Sequence, residues 1–272
     1  MTIAQALKKY HKTEIDLLLS HVLGKTKEFL FMNREIILSS YHLIILTKLV
    51  KRRLRGEPMA YILGYKDFYG LRFKVNRNVL IPRPETEELV NKVLSAKWLV
   101  LRRKIKILDL GTGSGCIIIS LAKGLPSSRC TLYASDVSSN ALTIAKQNAK
   151  IHKAKIRFLR SNLFSNIKGK FDIVIANLPY VPKRNYELGI KNLEYEPKIA
   201  LVDSIKDFNL YERFFQQVGS HLNPNSSVYL EIDPAAKPLI AKWAKKYLPK
   251  GQVKFYRDFN NLWRYVEIGL LN

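Results

Sequence analysis

Short apolar runs alternate with helical segments from about residue 80 onward, and this alternation limits the possible folds more than any other feature. The run Ile105–Leu110 precedes a helical segment that starts at Cys116, and Cys130–Asp136 precedes one that starts at Ser138 or Ser139. Strands that alternate with helices pair in parallel, because each helix carries the chain back to the same end of the sheet. We therefore predict an α/β fold with a doubly wound parallel sheet. Further strand-like runs are Lys155–Leu159, Phe171–Ala176 and Ser227–Ile232.

The two ends of the chain depart from this pattern. Val253–Arg257 and Trp263–Leu270 are separated by only a short break, so they predict an antiparallel hairpin. We expect residues 1–75 to form a small N-terminal helical domain with a β-hairpin linker that turns near Gly70, and residues 76–272 to form the main domain. The helical segments of the first part are Ile15–Leu23, which ends at Gly24, and Tyr41–Arg55.

The charge of the chain is strongly positive, with 46 Lys and Arg against 22 Asp and Glu and a net charge of +24. Such a charge attracts polyanions or acidic partners, although basic residues scattered along a chain can also serve only as solvated surface. Residues 1–15 lack an apolar core followed by a small-residue cleavage site, so we expect no signal peptide. The sequence also has no apolar stretch long enough to cross a bilayer, and we expect a cytoplasmic protein without a membrane partner. Cys116 and Cys130 form neither a disulfide framework nor a zinc pattern, and we expect no metal.

A glycine-rich loop, Gly111-Thr112-Gly113-Ser114-Gly115, joins the strand Ile105–Leu110 to the following helix. Glycine adopts positive φ and lets a ligand approach the backbone closely. The glycine spacing differs from that of the dinucleotide fingerprint, and the loop lacks the lysine of a phosphate-binding loop. With Asp109 just before it, the loop suits a nucleoside that carries a cationic amino-acid tail.

Polar side chains follow the next two strands. Asp136 ends the second strand, where a carboxylate can accept hydrogen bonds from both hydroxyls of a ribose, or can cap the following helix. The third strand leads into Asn162 and Leu163, which could bond the amino group of an adenine and pack on its ring. Asn162 considered alone is more often an ordinary loop residue.

Asn177-Leu178-Pro179-Tyr180 follows the run Phe171–Ala176, at the edge where open α/β sheets bind ligands. Asn supplies an acceptor oxygen, Pro stiffens the loop and Tyr supplies an aromatic face. The group suits a flat NH2 group of a substrate, although a strand-ending turn with a packed tyrosine would have the same composition.

Together these segments resemble the class I S-adenosylmethionine-dependent methyltransferases, and more closely the HemK/PrmC family of release factor glutamine N5-methyltransferases. The resemblance covers nearly the whole chain, and Ile81–Glu87 makes it more specific than the glycine loop does. Three positions depart from the family pattern: Leu178 stands where the family usually has Pro, Asn162 where it often has Asp, and Asp233 where it usually has Gly. The segments that carry the resemblance are Gly56–Gly64, Ile81–Glu87, Asp109–Gly115 and Asn177–Tyr180, followed by Glu196-Pro197 and Ala200-Leu201.

The resemblance implies a Rossmann-like seven-stranded methyltransferase sheet, a substrate-recognition role for residues 1–75 and S-adenosyl-L-methionine as cofactor, with S-adenosyl-L-homocysteine as product. The acceptor would be the glutamine of the Gly-Gly-Gln motif of class 1 peptide chain release factors, bound by a monomer that does not require nucleic acid. Asn177 and the carbonyl of Leu178 would each accept one N–H of that glutamine, while Pro179 fixes the loop and Tyr180 packs on the amide. The resemblance places these residues in the cofactor site: Gly111, Thr112, Gly113, Ser114, Gly115, Asp136, Asn162, Leu163 and Asn177.

Three alternatives remain open at the level of sequence. A glutamine methyltransferase of a ribosomal protein would share the same catalytic residues. An adenine-N6 methyltransferase of rRNA or DNA fits Asn177–Tyr180 and the positive charge, but not Ile81–Glu87 or the N-terminal helical domain. A binding module that keeps only the fold would not need the glycine loop, Asp136 and Asn177 together.

Overall fold

A computed structural model describes residues 1–96, 104–180, 193–202 and 208–270 of the chain. The chain divides into two compact units, Met1–Tyr65 and Lys66–Asn272. Within the described residues, no helix combines the length and the apolar character that a membrane crossing requires.

The first unit is a group of short helices around an apolar core. Helix α2 ends at Gly24, whose φ of 61° lets it form the C-cap, as the sequence predicts. Ile3, Leu18 and Leu30 lie in the core and are fully buried. The helices are α1 (Ile3–Lys9), α2 (Ile15–Leu23), α3 (Lys27–Met32), α4 (Ser40–Leu54) and α5 (Met59–Leu63).

A β-hairpin of strands β1 (Tyr65–Phe68) and β2 (Leu71–Lys74) follows. Tyr69 and Gly70 both have positive φ, which is the geometry of a tight hairpin turn. The sequence predicts that this hairpin belongs with the N-terminal part, residues 1–75, whereas the boundary between the compact units falls after residue 65. The hairpin belongs to the second unit because Phe68 and Phe73 are buried in the core of that unit.

The described residues of the second unit form a seven-stranded sheet in the order β5-β4-β3-β6-β7-β9-β8, which confirms the predicted fold class. Strands β3 to β7 pair in parallel, while β9 is antiparallel to both of its neighbours. The strands are β3 (Ile105–Leu110), β4 (Cys130–Asp136), β5 (Ile156–Arg160), β6 (Phe171–Asn177), β7 (Leu222–Glu231), β8 (Gly251–Arg257) and β9 (Trp263–Leu270).

Helices cover both faces of the sheet. Successive side chains of a strand point to opposite faces, so Ile107 packs in one core and Leu108 in the other. The first core receives side chains from α6, α7 and α8, and the second from α9 and α10. This arrangement leaves the carboxyl ends of the parallel strands free to form a site. The helices are α6 (Glu85–Ser95), α7 (Cys116–Gly124), α8 (Ser139–Ile151), α9 (Asn209–Val218) and α10 (Lys237–Tyr247).

Candidate active site

A cavity of about 230 Å³ lies at the carboxyl ends of β3, β4, β5 and β6. The alternation of strands and helices explains its place, because the loops that leave parallel strands gather at one edge of the sheet. Among the residues that line it are these predicted site residues: Gly111, Gly113, Asp136, Asn162, Leu163, Asn177, Leu178 and Pro179.

The glycine loop turns back on β4 directly after β3. The N–H groups of Gly111 and Thr112 donate to the carbonyl of Ser135 at 2.8 and 2.9 Å. Gly111 and Gly113 have φ of +76° and +55°, a region that other residues enter at a cost. A Cβ at Gly113 would meet no atom within 4 Å, so the backbone there is open to a ligand.

Asp136 presents its carboxylate beside this loop. Its two oxygens accept the N–H groups of Gly113 and Ser138, each at 2.9 Å. Ser138, not Asp136, caps helix α8, because its hydroxyl accepts the N–H of Ala141. Burial raises the pKa of Asp136, while the backbone donors oppose that change. Each carboxylate oxygen retains a lone pair that can accept a hydroxyl from the cavity.

The other three residues of the glycine loop are not among those that line the cavity and instead contact neighbouring parts of the fold. They are Thr112, Ser114 and Gly115. The Thr112 hydroxyl donates to Asp109 at 2.6 Å, and the carbonyl of Ser114 accepts from Asn148. Gly115 has a φ of +81°, which favours glycine, and a Cβ there would also lie only 3.0 Å from the side chain of Ile119. The direct contact that the resemblance implies for these three residues stays a prediction.

Asn162 and Leu163 form another part of the cavity wall. Leu163 has a φ of 51° and is buried in the core next to the cavity. The oxygen of Asn162 accepts a long hydrogen bond, 3.3 Å, from Arg213 on helix α9. Arg213 and the wall residue Leu210 could not be predicted, since nothing in the sequence pattern of α9 distinguishes them from its other residues.

The four residues Asn177–Tyr180 begin where β6 ends. The side-chain nitrogen of Asn177 donates to the hydroxyl of Thr86 at 3.3 Å, and the Tyr180 hydroxyl donates to Glu231 at 3.0 Å. Leu178 is buried, and its side chain lies against the position where a Cβ of Gly111 would be. Pro179 lines the cavity.

Glu231 and Thr86 are site residues whose roles the sequence does not predict. Glu231 lies next to Asn177 in the parallel register of β6 and β7 and accepts the Thr86 hydroxyl at 2.7 Å. Burial raises the pKa of Glu231, and the hydroxyl groups of Thr86 and Tyr180 oppose that change. The sequence does contain one indication of a role for Glu231, which is an acidic residue within the apolar strand β7. A buried carboxylate requires hydrogen-bonding partners.

The segment Ile81–Glu87, which carries the family resemblance, is tied to the site at two places. Glu196 accepts the N–H of Ile81 at 3.0 Å and forms an ion pair with Arg83. Thr86, in the first turn of α6, reaches Asn177. The segment therefore contacts the Asn177 side chain and also Glu196, the residue before the cavity-lining Pro197.

Asp233, one of the three departures from the family pattern, has a local structural role. Its carboxylate accepts the N–H of Ala235 at 2.7 Å and caps the single helical turn Pro234–Ala236. Asp is favoured at such a cap. The cap explains why Asp is suited to this position, which the sequence alone does not explain.

Two domain families match the chain. The family described as PrmC N-terminal domain matches residues 3–64, and the family described as Methyltransferase small domain matches residues 87–192. The two matches follow each other along the chain in the order that the resemblance implies.

Curated relatives match most of the chain. A release factor glutamine methyltransferase of Lactococcus lactis subsp. lactis is 39% identical over 213 residues, which are 78% of this chain and 76% of the relative. One of Buchnera aphidicola subsp. Schizaphis graminum is 37% identical and covers 86% of this chain and 84% of the relative. A bifunctional methyltransferase of Rickettsia bellii is 35% identical over 96% of this chain but only 51% of its own length.

Solved structures share the fold at low sequence identity. A methyltransferase from Pyrococcus furiosus has a TM-score of 0.53 at 18% identity and covers 83% of this chain and 100% of its own. A T. thermophilus 16S rRNA N2 G1207 methyltransferase, in complex with AdoMet and guanosine, has a TM-score of 0.54 at 14% identity, covering 75% of this chain and 49% of its own.

Proposed function

The chain belongs to the release factor glutamine methyltransferase family, and from that premise we propose that it methylates the side-chain amide nitrogen of the glutamine in the Gly-Gly-Gln motif of class 1 release factors. The methyl donor is S-adenosyl-L-methionine. One observation carries the proposal: the Asn177 amide lies at the cavity edge with its nitrogen held by Thr86. Its oxygen is therefore the atom left to receive a substrate N–H.

The residues that line the cavity fit the cofactor. Asp136 has lone pairs for ribose hydroxyls beside the open backbone at Gly113. Leu163 and Asn162 can take the adenine, and Gly113, which has no side chain and open space beside its backbone, leaves room for the amino-acid tail of the cofactor. When bound, the cofactor supplies a sulfonium methyl group, whose positive charge disappears on transfer.

The residues of the chain have to orient a weak nucleophile. The lone pair of an amide nitrogen is delocalised into its carbonyl, so acceptors on both N–H groups favour the pyramidal form that attacks the methyl group. Asn177 would supply one acceptor and the carbonyl of Leu178 the other, with Tyr180 packed against the amide plane. Alignment of this kind contributes up to roughly 7–11 kcal/mol in ideal cases. The proton leaves to water after transfer, so no strong base is required.

Leu178 bears on this mechanism because its side chain is not that of the family. The Leu178 side chain is buried in the core and 3% exposed. Leucine and proline side chains are both apolar, so the change removes no side-chain hydrogen-bonding group from the site. A residue that acts through its carbonyl tolerates such a change, which supports the proposed role of the backbone at this position.

The partner and the cellular setting belong to the same proposal. Residues of the N-terminal part would recognise the release factor, and the net charge of +24 would attract an acidic one to a cytoplasmic monomer. Long-range attraction of this kind weakens as salt screens it. An affinity for the release factor that does not change with salt would contradict this contribution.

The decisive experiment offers labelled S-adenosyl-L-methionine together with a purified class 1 release factor, ribosomal proteins or ribosomal RNA. We expect label only in the release factor, and mass spectrometry should place one methyl group on the glutamine of its Gly-Gly-Gln loop. A release factor in which that glutamine is replaced by alanine is the matched control and should stay unlabelled. Label in RNA or in a ribosomal protein alone would overturn the proposal.

The proposed role of Asn177 has its own test. Asn177→Ala should lower turnover by about 100-fold or more, since it removes one of the acceptors that orient the substrate. The dissociation constant for S-adenosyl-L-methionine should change much less. Turnover at the wild-type rate would contradict the role.

A further inference from the structure

Both ends of the segment Asn177–Tyr180 are tied to one buried carboxylate. One oxygen of Glu231 accepts the Tyr180 hydroxyl at 3.0 Å, and the other accepts the Thr86 hydroxyl at 2.7 Å. Thr86 in turn accepts from the side-chain nitrogen of Asn177 at 3.3 Å. A chain of hydrogen bonds therefore runs from Glu231 through Thr86 to Asn177.

The direction of each hydrogen bond in this chain is set by chemistry. The hydroxyl groups of Thr86 and Tyr180 each donate to one oxygen of Glu231, and both donors favour its ionised form. An ionised carboxylate only accepts, so the single hydroxyl proton of Thr86 is used toward Glu231. The Thr86 oxygen can then only accept from Asn177, and the nitrogen end of the amide must face it. A reversed amide would place two acceptor oxygens against each other without a proton between them.

The backbone around Glu231 is itself rigidly placed. Glu231 is 1% exposed and lies beside Asn177 in the parallel register of β6 and β7. The hydroxyl of the fully buried Tyr211 donates to the Glu231 carbonyl at 2.7 Å. The carboxylate therefore has little freedom to move away from Thr86, and the orientation of Asn177 follows from it.

We propose that Glu231 and Thr86 are positioning residues, which keep the Asn177 oxygen turned toward the N–H of the acceptor amide. Neither needs to touch the substrate or the cofactor. This inference rests on the proposed function and deepens it, because it names the groups that orient the acceptor-binding amide. It also assigns a role to Thr86 within Ile81–Glu87, the segment that makes the family resemblance specific.

Thr86→Val provides the main test, because valine keeps the shape of threonine and removes only the hydroxyl. With nothing to fix the amide, Asn177 samples both orientations. We expect kcat per folded molecule to fall about 10-fold to 100-fold at saturating release factor and cofactor, as misoriented groups cost in enzymes generally. Thr86→Ser restores the hydroxyl and should recover kcat to within a few-fold.

Glu231→Gln tests the direction of the chain. A glutamine amide can donate to Thr86, which frees the threonine proton for Asn177 and favours the reversed amide. Turnover should therefore fall although the side chain keeps its size. The dissociation constant for S-adenosyl-L-methionine, from titration, should stay within a few-fold of wild type in both variants.

Asp172→Asn separates positioning from general stability. Asp172 is another buried carboxylate of the same sheet, and it accepts the Lys106 N–H at 2.7 Å and the Asn223 side chain at 2.8 Å. The substitution should lower the melting temperature but leave kcat per folded molecule unchanged.

The outcomes distinguish the two proposals. If wild type methylates the release factor and Thr86→Val has the wild-type kcat, the positioning role is wrong while the proposed function stands. If wild type leaves the release factor unmethylated, the proposed function fails first. Loss of kcat in Thr86→Val that Thr86→Ser does not restore would also overturn the positioning role, and this comparison remains available if Glu231→Gln does not fold.

Discussion

Arg83 and Glu196 form an ion pair that joins two segments separated by 113 residues of sequence. The Glu196 side chain is only 3% exposed, whereas that of Arg83 is 36% exposed. Glu196 also accepts the N–H of Ile81. The pair therefore anchors the short stretch Pro197–Ala200, part of which lines the cavity.

Glu196→Gln should weaken this anchor without changing the size of the side chain. An amide oxygen can still accept the Ile81 N–H, but the charge opposite Arg83 is lost. We expect a loss of about 1–2 kcal/mol in the free energy of unfolding, as for a hydrogen bond to a charged group that is partly exposed. The dissociation constant for S-adenosyl-L-methionine should rise several-fold, measured by titration calorimetry.

The exposed pair Arg72–Asp67 provides the control, with side chains 61% and 62% exposed. Asp67→Asn should change the free energy of unfolding by less than about 0.5 kcal/mol. Equal effects of the two substitutions would show that burial of Glu196 does not matter.

Asp136→Asn should weaken cofactor binding. The carboxylate already accepts two backbone N–H groups, and the amide retains only one acceptor atom for those donors and for the ribose hydroxyls. We expect the dissociation constant for S-adenosyl-L-methionine to rise about 10-fold to 100-fold, which corresponds to about 1.4–3 kcal/mol. Turnover at saturating cofactor should change much less.

Asp233→Asn is the matched carboxylate-to-amide change. Asn caps a helical turn about as well as Asp does, so binding and stability should both stay close to wild type. An Asp136→Asn variant that binds the cofactor as tightly as Asp233→Asn does would show that Asp136 does not contact the ribose.

Gly113→Ala should lower both the stability of the protein and its affinity for the cofactor, and comparison with Gly24→Ala distinguishes the two effects. The residue has a φ of +55° and open space where its Cβ would be, at the cavity wall. Alanine should cost about 1–2 kcal/mol of stability through the left-handed backbone and raise the dissociation constant for the cofactor by about 10-fold or more. Gly24→Ala, at a φ of +61° with equally open space, should cost similar stability and leave cofactor binding unchanged.

Asp109 should make stability depend on pH. Burial raises the pKa of Asp109 from its ordinary value of 3.8 to about 7. Between these values the folded chain holds a proton that the unfolded chain has lost, so this group contributes a stability that falls as pH rises. Between pH 5 and pH 8, Asp109 alone should lower the free energy of unfolding by about 2–3 kcal/mol.

Asp109→Asn removes this dependence, because asparagine does not titrate and its oxygen can still accept the Thr112 hydroxyl. Denaturant unfolding at both pH values should show a smaller difference for the variant than for wild type. An identical difference in the two proteins would mean that Asp109 is ionised at both pH values.

Much of the second unit could be predicted because its signals are local. β3, β4 and β9 begin and end at the predicted residues, since each is an apolar run bounded by turn or cap residues. β7 was predicted from Ser227 but starts at Leu222. Its first residues include Pro224 and Asn225, which is left-handed, and its register with β6 is irregular there, so they resemble a turn.

The fold class, the glycine loop, Asp136 and Asn177 are predictable from local patterns, because apolar runs show where strands end and glycines show where the chain turns. The way in which the Asn177 amide is held depends on residues far apart in the sequence. Thr86 lies 91 residues from Asn177, and Glu231 lies 145 residues from Thr86. Such hydrogen bonds depend on which strands become neighbours in the sheet and which helix packs over their ends. Periodicity reports what each segment forms, whereas the partner of a buried polar group is set only when the whole sheet assembles.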